Sequence, residues 1–404
     1  MATRIIRSLK SDLSYELAKN EIFSDEEFLS ELEETAKKKS ISKDTALAQA
    51  NLYFGKIAAK ITKSSIFWAL SKFTVKNKII AKFDNIYVNK EYLKKLPDLM
   101  KDNIITFVPN HKSVFDFMLI PYYIVTEIGF MPIILAADVF DKFPLGIIFR
   151  KMGAYFICRG DKDEIYNLVF KHYVMRIVRY ELIHFFFIEG GRNKSGGYSE
   201  PKTGLLHYIL QGRKRFNDKK DIIFIPVSIS YDYVAESKIV IKENLTGQRK
   251  NIFRSIAKYG SRRNMGNCYL RFNEPIKLSS VQKSSLSEAD TVNALAGQIM
   301  SSIKNNIAIS PIMLVCYTLN SIIKDVPAEI TFDEFFDKYN EFLAYLKKVQ
   351  KDTYIHPDKI REYLQFSSDF GIFEYDNSAG KISVPSENKP LIEYYSNGIA
   401  HFFG

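Results

Sequence analysis

The sequence has little cysteine. Its 404 residues include only Cys158, Cys268 and Cys316, which are far apart and have no CxxC spacing. An odd number of widely spaced cysteines predicts neither a disulfide framework nor a zinc site. The cysteine content therefore favours a reducing compartment such as the cytosol.

Long apolar runs are also missing. No stretch of roughly 18 apolar residues is free of charge, and the longest apolar region, residues 115–140, is interrupted by Asp116, Glu127 and Asp138. We therefore expect no membrane-spanning helix. The first nine residues contain Arg4 and Arg7 but no apolar signal-peptide core, so we also expect no cleaved leader.

Motifs typical of metal and nucleotide sites are absent as well. The six histidines are scattered along the chain, so we expect an enzyme without a metal ion or other cofactor. No GxxxxGK[ST] motif occurs, which excludes the phosphate-binding loop of nucleotide hydrolases. The sequence contains no internal repeat and no low-complexity tract.

The positive charge is unevenly distributed. The net charge is +11, but residues 305–404 hold 9 Lys/Arg and 14 Asp/Glu, a net charge of −5, which leaves +16 on residues 1–304. The basic part predicts an anionic partner, which could be nucleic acid, a lipid surface, a phosphorylated substrate or an acidic carrier protein. Charge alone does not choose among them.

A cluster of cations lies in residues 249–263, where apolar residues recur at helical spacing. The six cations are Arg249, Lys250, Arg254, Lys258, Arg262 and Arg263. This segment could contact anionic lipid, an acyl carrier protein or coenzyme A phosphates, or it could be a solvated helix face. It matches no recognised DNA- or RNA-binding module, so we expect no nucleic-acid partner.

The pattern along the chain divides it into three parts. Residues 1–85 are predicted to be helical, and a basic segment with Trp68, residues 57–83, could lie on a membrane surface or pack on its own domain. Residues 86–305 alternate short apolar runs with helical stretches, which predicts an α/β domain with a mixed central sheet flanked by helices. Residues 306–404 are predicted to form a helical extension. The predicted strands are 104–109, 133–136, 154–158, 183–188, 222–229 and 268–272.

Residues 110–116 read Asn-His-Lys-Ser-Val-Phe-Asp and directly follow a predicted strand. Acyl transfer to an alcohol needs a base, and imidazole, with an ordinary pKa of about 6.5, suits this role at neutral pH. A carboxylate on the other ring nitrogen fixes the tautomer and stabilises the cation that forms. The motif therefore predicts His111 as a base with Asp116 as its partner.

The spacing within this motif allows a second interpretation. A five-residue offset is about 140° around an ideal helix, so His111 and Asp116 meet only if His111 precedes the helix. Alternatively, Ser113 and Asp116 form a capping box, and the histidine is incidental.

A second motif follows another predicted strand. Residues 186–192 read Phe-Phe-Ile-Glu-Gly-Gly-Arg, and glycines beside an arginine allow the backbone to approach a phosphate that the guanidinium binds. On its own such a turn is more often a plain loop. Arg159 follows a third predicted strand and is either a second phosphate ligand or a surface ion-pair partner.

These segments, in this order, resemble the sequence blocks of the glycerolipid acyltransferase superfamily, whose hallmark is Asn-His followed by four residues and Asp. Phe-Ile-Glu-Gly-Gly-Arg, Pro-Lys-Thr-Gly-Leu-Leu at residues 201–206 and Ile-Pro-Val-Ser-Ile-Ser-Tyr-Asp at residues 225–232 are similar to the glycerol-3-phosphate acyltransferase branch. The resemblance covers about residues 85–404. It departs at residues 193–195, which read Asn-Lys-Ser where the branch commonly has Ser-Arg-Ser.

The resemblance implies roles for specific residues. His111 and Asp116 are the implied catalytic pair. The implied acceptor site consists of Arg159, Arg192 and Lys202, which hold the phosphate, and Glu189, Gly190 and Gly191, which shape the site.

The implied reaction moves a fatty acyl group from acyl-CoA or acyl carrier protein to the sn-1 hydroxyl of glycerol 3-phosphate, in phospholipid biosynthesis. No covalent acyl-enzyme is expected, and a backbone amide near His111 is a candidate oxyanion donor. Lysophosphatidate or dihydroxyacetone phosphate remains an alternative acceptor, and an inactive lipid-binding scaffold is a remote alternative. The expected location is the cytoplasmic side of a membrane, as a peripheral or monotopic protein.

Overall fold

A computed structural model describes residues 15–404 of the chain, apart from residues 62–74, 130, 144, 159, 161–162, 217–218, 248–263, 350 and 352. Arg159, the basic cluster of residues 249–263 and residues 62–74 of the basic segment around Trp68 therefore lie outside the described residues. In the described helices no segment combines the length and apolarity that crossing a bilayer requires.

Three helices begin the described chain and pack on the α/β part. They are α1 (Tyr15–Phe23), α2 (Glu26–Lys38) and α3 (Lys43–Ile57). Asp25 and Ser42 cap α2 and α3, because their side chains accept hydrogen bonds from the amides of Phe28 and Thr45,. After the gap at residues 62–74, Val75–Ile79 and Ile80–Lys82 form two short helical turns. Their apolar side chains face the protein core.

The described residues of the central α/β part form eight strands with helices between them. Its strands are β1 (Ile86–Asn89), β2 (Asn103–Pro109), β3 (Ile133–Ala137), β4 (Ala154–Ile157), β5 (His184–Phe185), β6 (Asp221–Tyr231), β7 (Cys268–Phe272) and β8 (Ile276–Lys277). Its helices are α4 (Glu91–Asp102), α5 (Asp116–Ile128), α6 (Leu145–Lys151), α7 (Glu164–Arg179), α8 (Gly204–Phe216), α9 (Ser237–Thr246), α10 (Leu278–Val281) and α11 (Glu288–Asn305).

The strands form one mixed sheet in the order β1-β7-β6-β2-β5-β3-β4, and β8 pairs with β6. Most neighbours are parallel, and β6 is antiparallel to both β7 and β8. The longest parallel pairing joins β2 to β6, from Asn103 opposite Asp221 to Pro109 opposite Val227. The predicted fold class, a mixed central sheet flanked by helices, is confirmed.

Both faces of the sheet are covered. Alternating residues of β2 divide between two apolar cores, with Ile105 and Phe107 on one side and Ile104 and Val108 on the other,. The helices α1–α3, α7, α8 and α11 cover the second face. The C-terminal part covers the first.

The C-terminal part is more than the helical extension that the sequence predicts. Its helices are α12 (Pro311–Ile322), α13 (Phe332–Lys348), α14 (Ile360–Asp369) and α15 (Lys389–Ser396). They accompany a three-stranded antiparallel sheet of β9 (Ala328–Thr331), β10 (Glu374–Asp376) and β11 (Lys381–Val384), in the order β10-β11-β9. These strands have only three or four residues each, so their apolar alternation is too short to identify in the sequence.

Candidate active site

The candidate site lies where three neighbouring parallel strands end. β2 lies between β5 and β6 in the sheet, and the carboxyl ends of parallel strands share one edge. The turn of residues 110–115 follows β2, the loop of residues 186–203 follows β5, and residues 232–236 follow β6. The topology therefore brings together side chains that are far apart in the sequence.

His111 and Asp116 are in contact. The Nδ1 atom of His111 lies 2.9 Å from Oδ2 of Asp116. The His111 side chain is 14% exposed, whereas Asp116 is fully buried. The Phe187 ring stacks on the imidazole at 3.9 Å between centroids and holds its plane. Since Nδ1 is occupied, Nε2 is the ring nitrogen that can exchange a proton with a substrate.

The Asp116 carboxylate also organises the turn before α5. Its Oδ2 atom accepts hydrogen bonds from the amides of Lys112 at 2.7 Å and Ser113 at 2.8 Å. The Phe115 amide donates to Oγ of Ser113 at 3.2 Å. One half of a capping box is present, because the Ser113 amide donates to the Asp116 carboxylate,. The other half differs, since Oγ of Ser113 accepts from the Phe115 amide and the Asp116 amide donates to the Ser113 carbonyl. The Asp116 carboxylate therefore holds the turn before α5 and also contacts His111.

Tyr231 and Asn110 connect this turn to β6. The buried Tyr231 hydroxyl donates to Oδ1 of Asp116 at 2.5 Å. The Asn110 side chain pairs with the backbone of Ile229, donating at 3.1 Å and accepting at 2.8 Å. The sequence analysis did not assign either residue a role. No local motif marks Tyr231, which reaches Asp116 because β6 pairs in parallel with β2 and both strands end at the same edge.

Glu189 joins the glycine-rich loop to the His111 turn. Its Oε1 accepts from the His111 amide at 3.1 Å, and its Oε2 accepts from the Ser199 amide at 2.8 Å. In return, the Asn193 amide donates to the His111 carbonyl at 3.1 Å. Glu189 is only 4% exposed, so it shapes the site by holding two backbone segments together.

Arg192 forms an ion pair with Glu236. Its Nη1 lies 3.4 Å from Oε1 of Glu236, and its side chain is 16% exposed. The same carboxylate accepts hydrogen bonds from the Val114 amide at 2.5 Å and the Ser113 hydroxyl at 3.0 Å. The Glu236 carboxylate therefore bridges Arg192 and the His111 turn. No motif in the sequence pointed to Glu236.

The remaining predicted acceptor residues lie on the same loop. Gly190 has φ of +68°, and a Cβ atom there would lie 2.9 Å from Cγ of Lys202. Lys202 is exposed and its amide donates to the Ile188 carbonyl at 2.7 Å. Gly191 lies between Gly190 and Arg192 and is partly buried. The described acceptor residues, Glu189, Gly190, Gly191, Arg192 and Lys202, thus lie on one loop.

Lys112 is a buried cation beside His111 that the sequence analysis left without a role. Its ammonium donates to the carbonyls of Gly196 and Gly197, both at 2.6 Å, and lies 4.5 Å from the centre of the Tyr198 ring. Burial lowers its pKa to about 8, although the charges of Glu189 and Asp116 act in the opposite direction. Lys112 therefore ties the His111 turn to the far end of the glycine-rich loop.

Outside this site, two carboxylates and a histidine meet between α2 and α7. Glu27, Glu31 and His172 place their ligand atoms within 4.8 Å of one another. Glu31 is already paired with Lys171 at 2.7 Å and with His172 at 2.9 Å, and Glu27 is paired with Arg215 at 3.0 Å. These pairings fit an ion-pair network that joins helices better than a metal site.

Two protein-family models match the chain. The Acyltransferase model matches residues 85–230, and the model of the glycerol-3-phosphate acyltransferase C-terminal region matches residues 242–404. The chain belongs to the glycerol-3-phosphate acyltransferase branch of the acyltransferase superfamily. The first match ends at residue 230, next to the end of β6, so the motif of residues 110–116 and the glycine-rich loop lie in the first match.

Curated relatives in this family carry the name glycerol-3-phosphate acyltransferase. The protein of Baumannia cicadellinicola subsp. Homalodisca coagulata is 29% identical over 406 residues, covering 92% of this chain and 48% of the relative. The protein of Hamiltonella defensa subsp. Acyrthosiphon pisum is 30% identical over 329 residues, covering 74% of this chain and 40% of the relative. The chain thus spans about half the length of the curated relatives it matches, or less.

Among solved structures, the 1-acyl-sn-glycerophosphate (LPA) acyltransferase PlsC from Thermotoga maritima is similar, with a TM-score of 0.37 and 14% sequence identity. The similarity covers 58% of this chain and 79% of that one.

Proposed function

We propose that this chain transfers a fatty acyl group from a thioester donor to the sn-1 hydroxyl of glycerol 3-phosphate, giving lysophosphatidate for phospholipid synthesis. The contact between His111 and Asp116 carries the proposal, because it supplies a base at the edge where the phosphate-binding loop also lies. The curated relatives' names support glycerol 3-phosphate as the acceptor. The donor is acyl-CoA or acyl carrier protein.

The proposed reaction is a direct transfer. Nε2 of His111 takes the proton of the acceptor hydroxyl while its oxygen attacks the thioester carbonyl. The carbon–sulfur bond then breaks, and the imidazolium returns the proton to the departing thiolate. Asp116 stabilises the imidazolium through Nδ1,. No acyl-enzyme forms, and we propose that the step requires neither a metal ion nor a cofactor.

The backbone of the His111 turn is a poor source of the oxyanion donor. The amides of residues 111–116 already donate to Glu189, Asp116, Glu236 or Ser113. The predicted oxyanion donor, a backbone amide near His111, is therefore proposed to lie outside residues 111–116. A donor outside the turn has to stabilise the tetrahedral intermediate.

The acceptor phosphate is proposed to bind at Arg192 and Lys202, with Arg159 as a third cation. Arg192 remains close to the catalytic turn through Glu236, and Lys202 lies against Gly190 at the turn of the loop. A guanidinium and an ammonium on one loop suit a phosphate that must place its hydroxyl near His111. When the phosphate binds, the Arg192 guanidinium has to leave Glu236 or contact both Glu236 and the phosphate.

The acceptor assay tests this function. Purified protein is given a labelled acyl donor with glycerol 3-phosphate, dihydroxyacetone phosphate or lysophosphatidate, and acyl-CoA is compared with acyl carrier protein. We expect labelled lysophosphatidate from glycerol 3-phosphate at the highest kcat/KM. Preference for either other acceptor would overturn the branch-specific proposal, and transfer to none would support a lipid-binding scaffold. Unchanged transfer after treatment with a chelator is the expected result for a metal-free reaction.

We also propose that the protein works on the cytoplasmic side of a membrane as a peripheral or monotopic protein. The donor and the product carry long acyl chains, which partition into bilayers. The net charge of +16 on residues 1–304 suits an anionic surface,.

A further inference from the structure

A short surface segment between β3 and β4 exposes an unusual number of large apolar side chains. We define the 139–148 patch by five of them: Val139 (39% exposed), Phe143 (86%), Leu145 (37%), Ile147 (50%) and Ile148 (38%). Single exposed apolar residues are common on soluble proteins, but a contiguous group marks an interaction site. The segment is therefore a candidate interaction surface.

The patch lies at the edge of the sheet that carries the candidate active site. β3 is parallel to β5, which is parallel to β2, so the chain leaves β3 on the same side as His111 leaves β2. Three rings connect the patch to α5. Phe117 lies 5.5 Å from Phe140 and 5.3 Å from Phe149 between ring centroids. Phe117 directly follows Asp116, so apolar surface continues from the patch to the start of the catalytic helix.

The base of the patch is firmly attached to the protein. The Arg150 guanidinium donates to Oδ1 of Asp141 at 2.8 Å, and to the carbonyls of Lys56 and Ala58, both at 2.5 Å. Gly146 fits tightly against Asp141, since a Cβ atom there would lie 2.6 Å from its backbone. The exposed side chains therefore project from a rigid support.

Lysines surround this apolar surface. Lys56, Lys60 and Lys142 are exposed and Lys151 is partly exposed. Lys56 and Lys60 are next to the patch because their backbone atoms hydrogen-bond to Arg150. Asp138 is an exposed acid of the same segment, and Asp141 is paired with Arg150. Among the described residues named here, the exposed cations Lys56, Lys60 and Lys142 outnumber the exposed carboxylate of Asp138, which suits an anionic lipid surface,.

We propose that the 139–148 patch inserts into the headgroup region of an anionic bilayer and turns the catalytic edge of the sheet toward the lipid. This inference rests on the proposed function. If the protein transfers acyl groups, an acyl donor or product that lies in the bilayer then meets the protein beside His111. Phe143, the most exposed of the five side chains, inserts deepest, and the lysines bind lipid phosphates.

Vesicle sedimentation tests the proposal. The full chain is mixed with phosphatidylcholine vesicles containing about one-third phosphatidylglycerol. We expect the double variant Phe143→Ser/Ile147→Ser to bind these vesicles at least tenfold more weakly than the natural sequence. Leu286→Ser/Val349→Ser is the matched control, since it removes two exposed apolar side chains outside the 139–148 patch, and we expect it to bind normally. Equal binding of the patch variant and the natural sequence would overturn the proposal.

Two further measurements distinguish membrane binding from self-association and from a failure of the proposed function. If the patch variant abolishes a dimer that sedimentation velocity detects in the natural sequence without vesicles, the patch is an interface between copies and the proposal fails. With a short, water-soluble acyl donor, the patch variant should retain its transfer rate, and with a vesicle-borne long-chain donor it should lose at least tenfold. If no acceptor is acylated but vesicle binding still depends on the patch, the proposed function is wrong. The proposal that the 139–148 patch binds membranes is then retained.

Discussion

The Asp116 carboxylate connects the local structure of the chain to its proposed chemistry. It accepts hydrogen bonds from a ring nitrogen, two backbone amides and a tyrosine hydroxyl. A buried carboxylate is stable only when its oxygens have such partners. The same bonds fix the side chain that contacts His111, so the turn before α5 and the proposed catalysis depend on one group.

Replacement of Tyr231 by Phe tests whether the hydrogen bond from Tyr231 to Oδ1 of Asp116 contributes to stability and to catalysis. We expect Tyr231→Phe to reduce the free energy of unfolding by about 1–3 kcal/mol, because a buried acceptor is left unsatisfied. We also expect a lower kcat, because Asp116 then holds His111 less firmly. Chemical denaturation and steady-state kinetics measure the two effects.

Tyr269→Phe is the matched control for this change. The Tyr269 hydroxyl donates to Oδ1 of Asp232 at 3.1 Å in a separate buried pair. It should lose stability but keep kcat. A Tyr231→Phe protein with an unchanged kcat would show that this hydroxyl has no role in positioning the catalytic pair.

The pH dependence of stability tests the burial of Lys112. Burial lowers its pKa to about 8 from an ordinary value of 10.5, so the folded protein binds fewer protons than the unfolded chain between these two pH values. Stability therefore rises with pH in this window through this group. We expect the unfolding free energy of the natural sequence to increase relative to that of Lys112→Met as the pH rises from about 8 to 10.5,. A constant difference across that range would contradict the buried position of this ammonium.

At the scale of whole elements, the glycine-rich loop is held against the C-terminal helix α15. The Asn397 side chain donates to the Ser195 carbonyl at 2.9 Å, and the Tyr198 hydroxyl donates to the Gly398 carbonyl at 3.3 Å. Gly196 has φ of +81°, and a Cβ atom on it would lie 1.7 Å from the Tyr394 carbonyl oxygen. The end of the chain thus supports the loop that is proposed to bind phosphate.

Replacement of Gly196 by Ala should separate these two elements. A methyl group cannot fit against the Tyr394 backbone, and the positive φ adds strain. We expect a loss of more than about 1 kcal/mol of stability and a higher KM for the acceptor, measured by thermal unfolding and initial rates. Gly297→Ala is the control, because Gly297 lies within α11 with open space around it, and it should be neutral or stabilising. Normal acceptor binding by Gly196→Ala would contradict the supporting role of α15.

The sequence predicted most elements of the α/β part because each has a clear apolar pattern. β7 has the predicted bounds, and β2, β3 and β6 differ from theirs by one or two residues. β5 is much shorter than the predicted 183–188, since regular pairing ends at Phe185. Beyond it the chain makes only isolated bonds to β2, from the Phe186 and Ile188 amides to the Phe107 and Pro109 carbonyls. The loop leaves the sheet to reach His111, which the local sequence pattern does not encode.

The molecule as a whole places its N-terminal helices on one face of the sheet and its C-terminal part on the other. Arg176, which is 1% exposed, donates to Oδ2 of Asp25 at 2.5 Å and thereby fastens α2 to α7. Asp25 also accepts from Arg215 of α8 at 2.7 Å. These pairs join residues about 150 to 190 positions apart, so the spacing of charges in the sequence could not predict them.

The effect of pH on stability through Asp25 tests whether these ion pairs join α2 to α7 and α8. Burial opposes its ionisation, but hydrogen bonds from Arg215, the Phe28 amide and Arg176 outweigh burial and hold its pKa well below the usual value. A depressed carboxyl pKa adds stability above the ordinary pKa of 3.8, and that stability disappears as the pH falls,. We expect Asp25→Asn, which keeps a capping side chain, to be less stable at pH 7. The difference in unfolding free energy between Asp25→Asn and the natural sequence should disappear below about pH 4. A difference that does not depend on pH would contradict the role of the ion pairs.

The candidate site could be predicted in part because its catalytic pair and glycine-rich loop lie in short contiguous motifs. Lys112, Tyr231 and Glu236 were missed because their roles depend on contacts between segments that only the sheet order brings together. The pairing of the amides of the His111 turn could not be predicted for the same reason, since Glu189 and Glu236 occupy amides that the motif alone leaves open.

The acyl transfer rate of His111→Ala tests the central claim most directly. His111 is partly exposed and its side chain makes one hydrogen bond among the described contacts, to Asp116, so the variant should fold normally by circular dichroism. We expect transfer to glycerol 3-phosphate to fall by at least about a hundredfold, while His207→Ala, which changes a partly exposed histidine on α8, keeps its rate. Near-normal turnover by a folded His111→Ala protein would contradict the proposed mechanism.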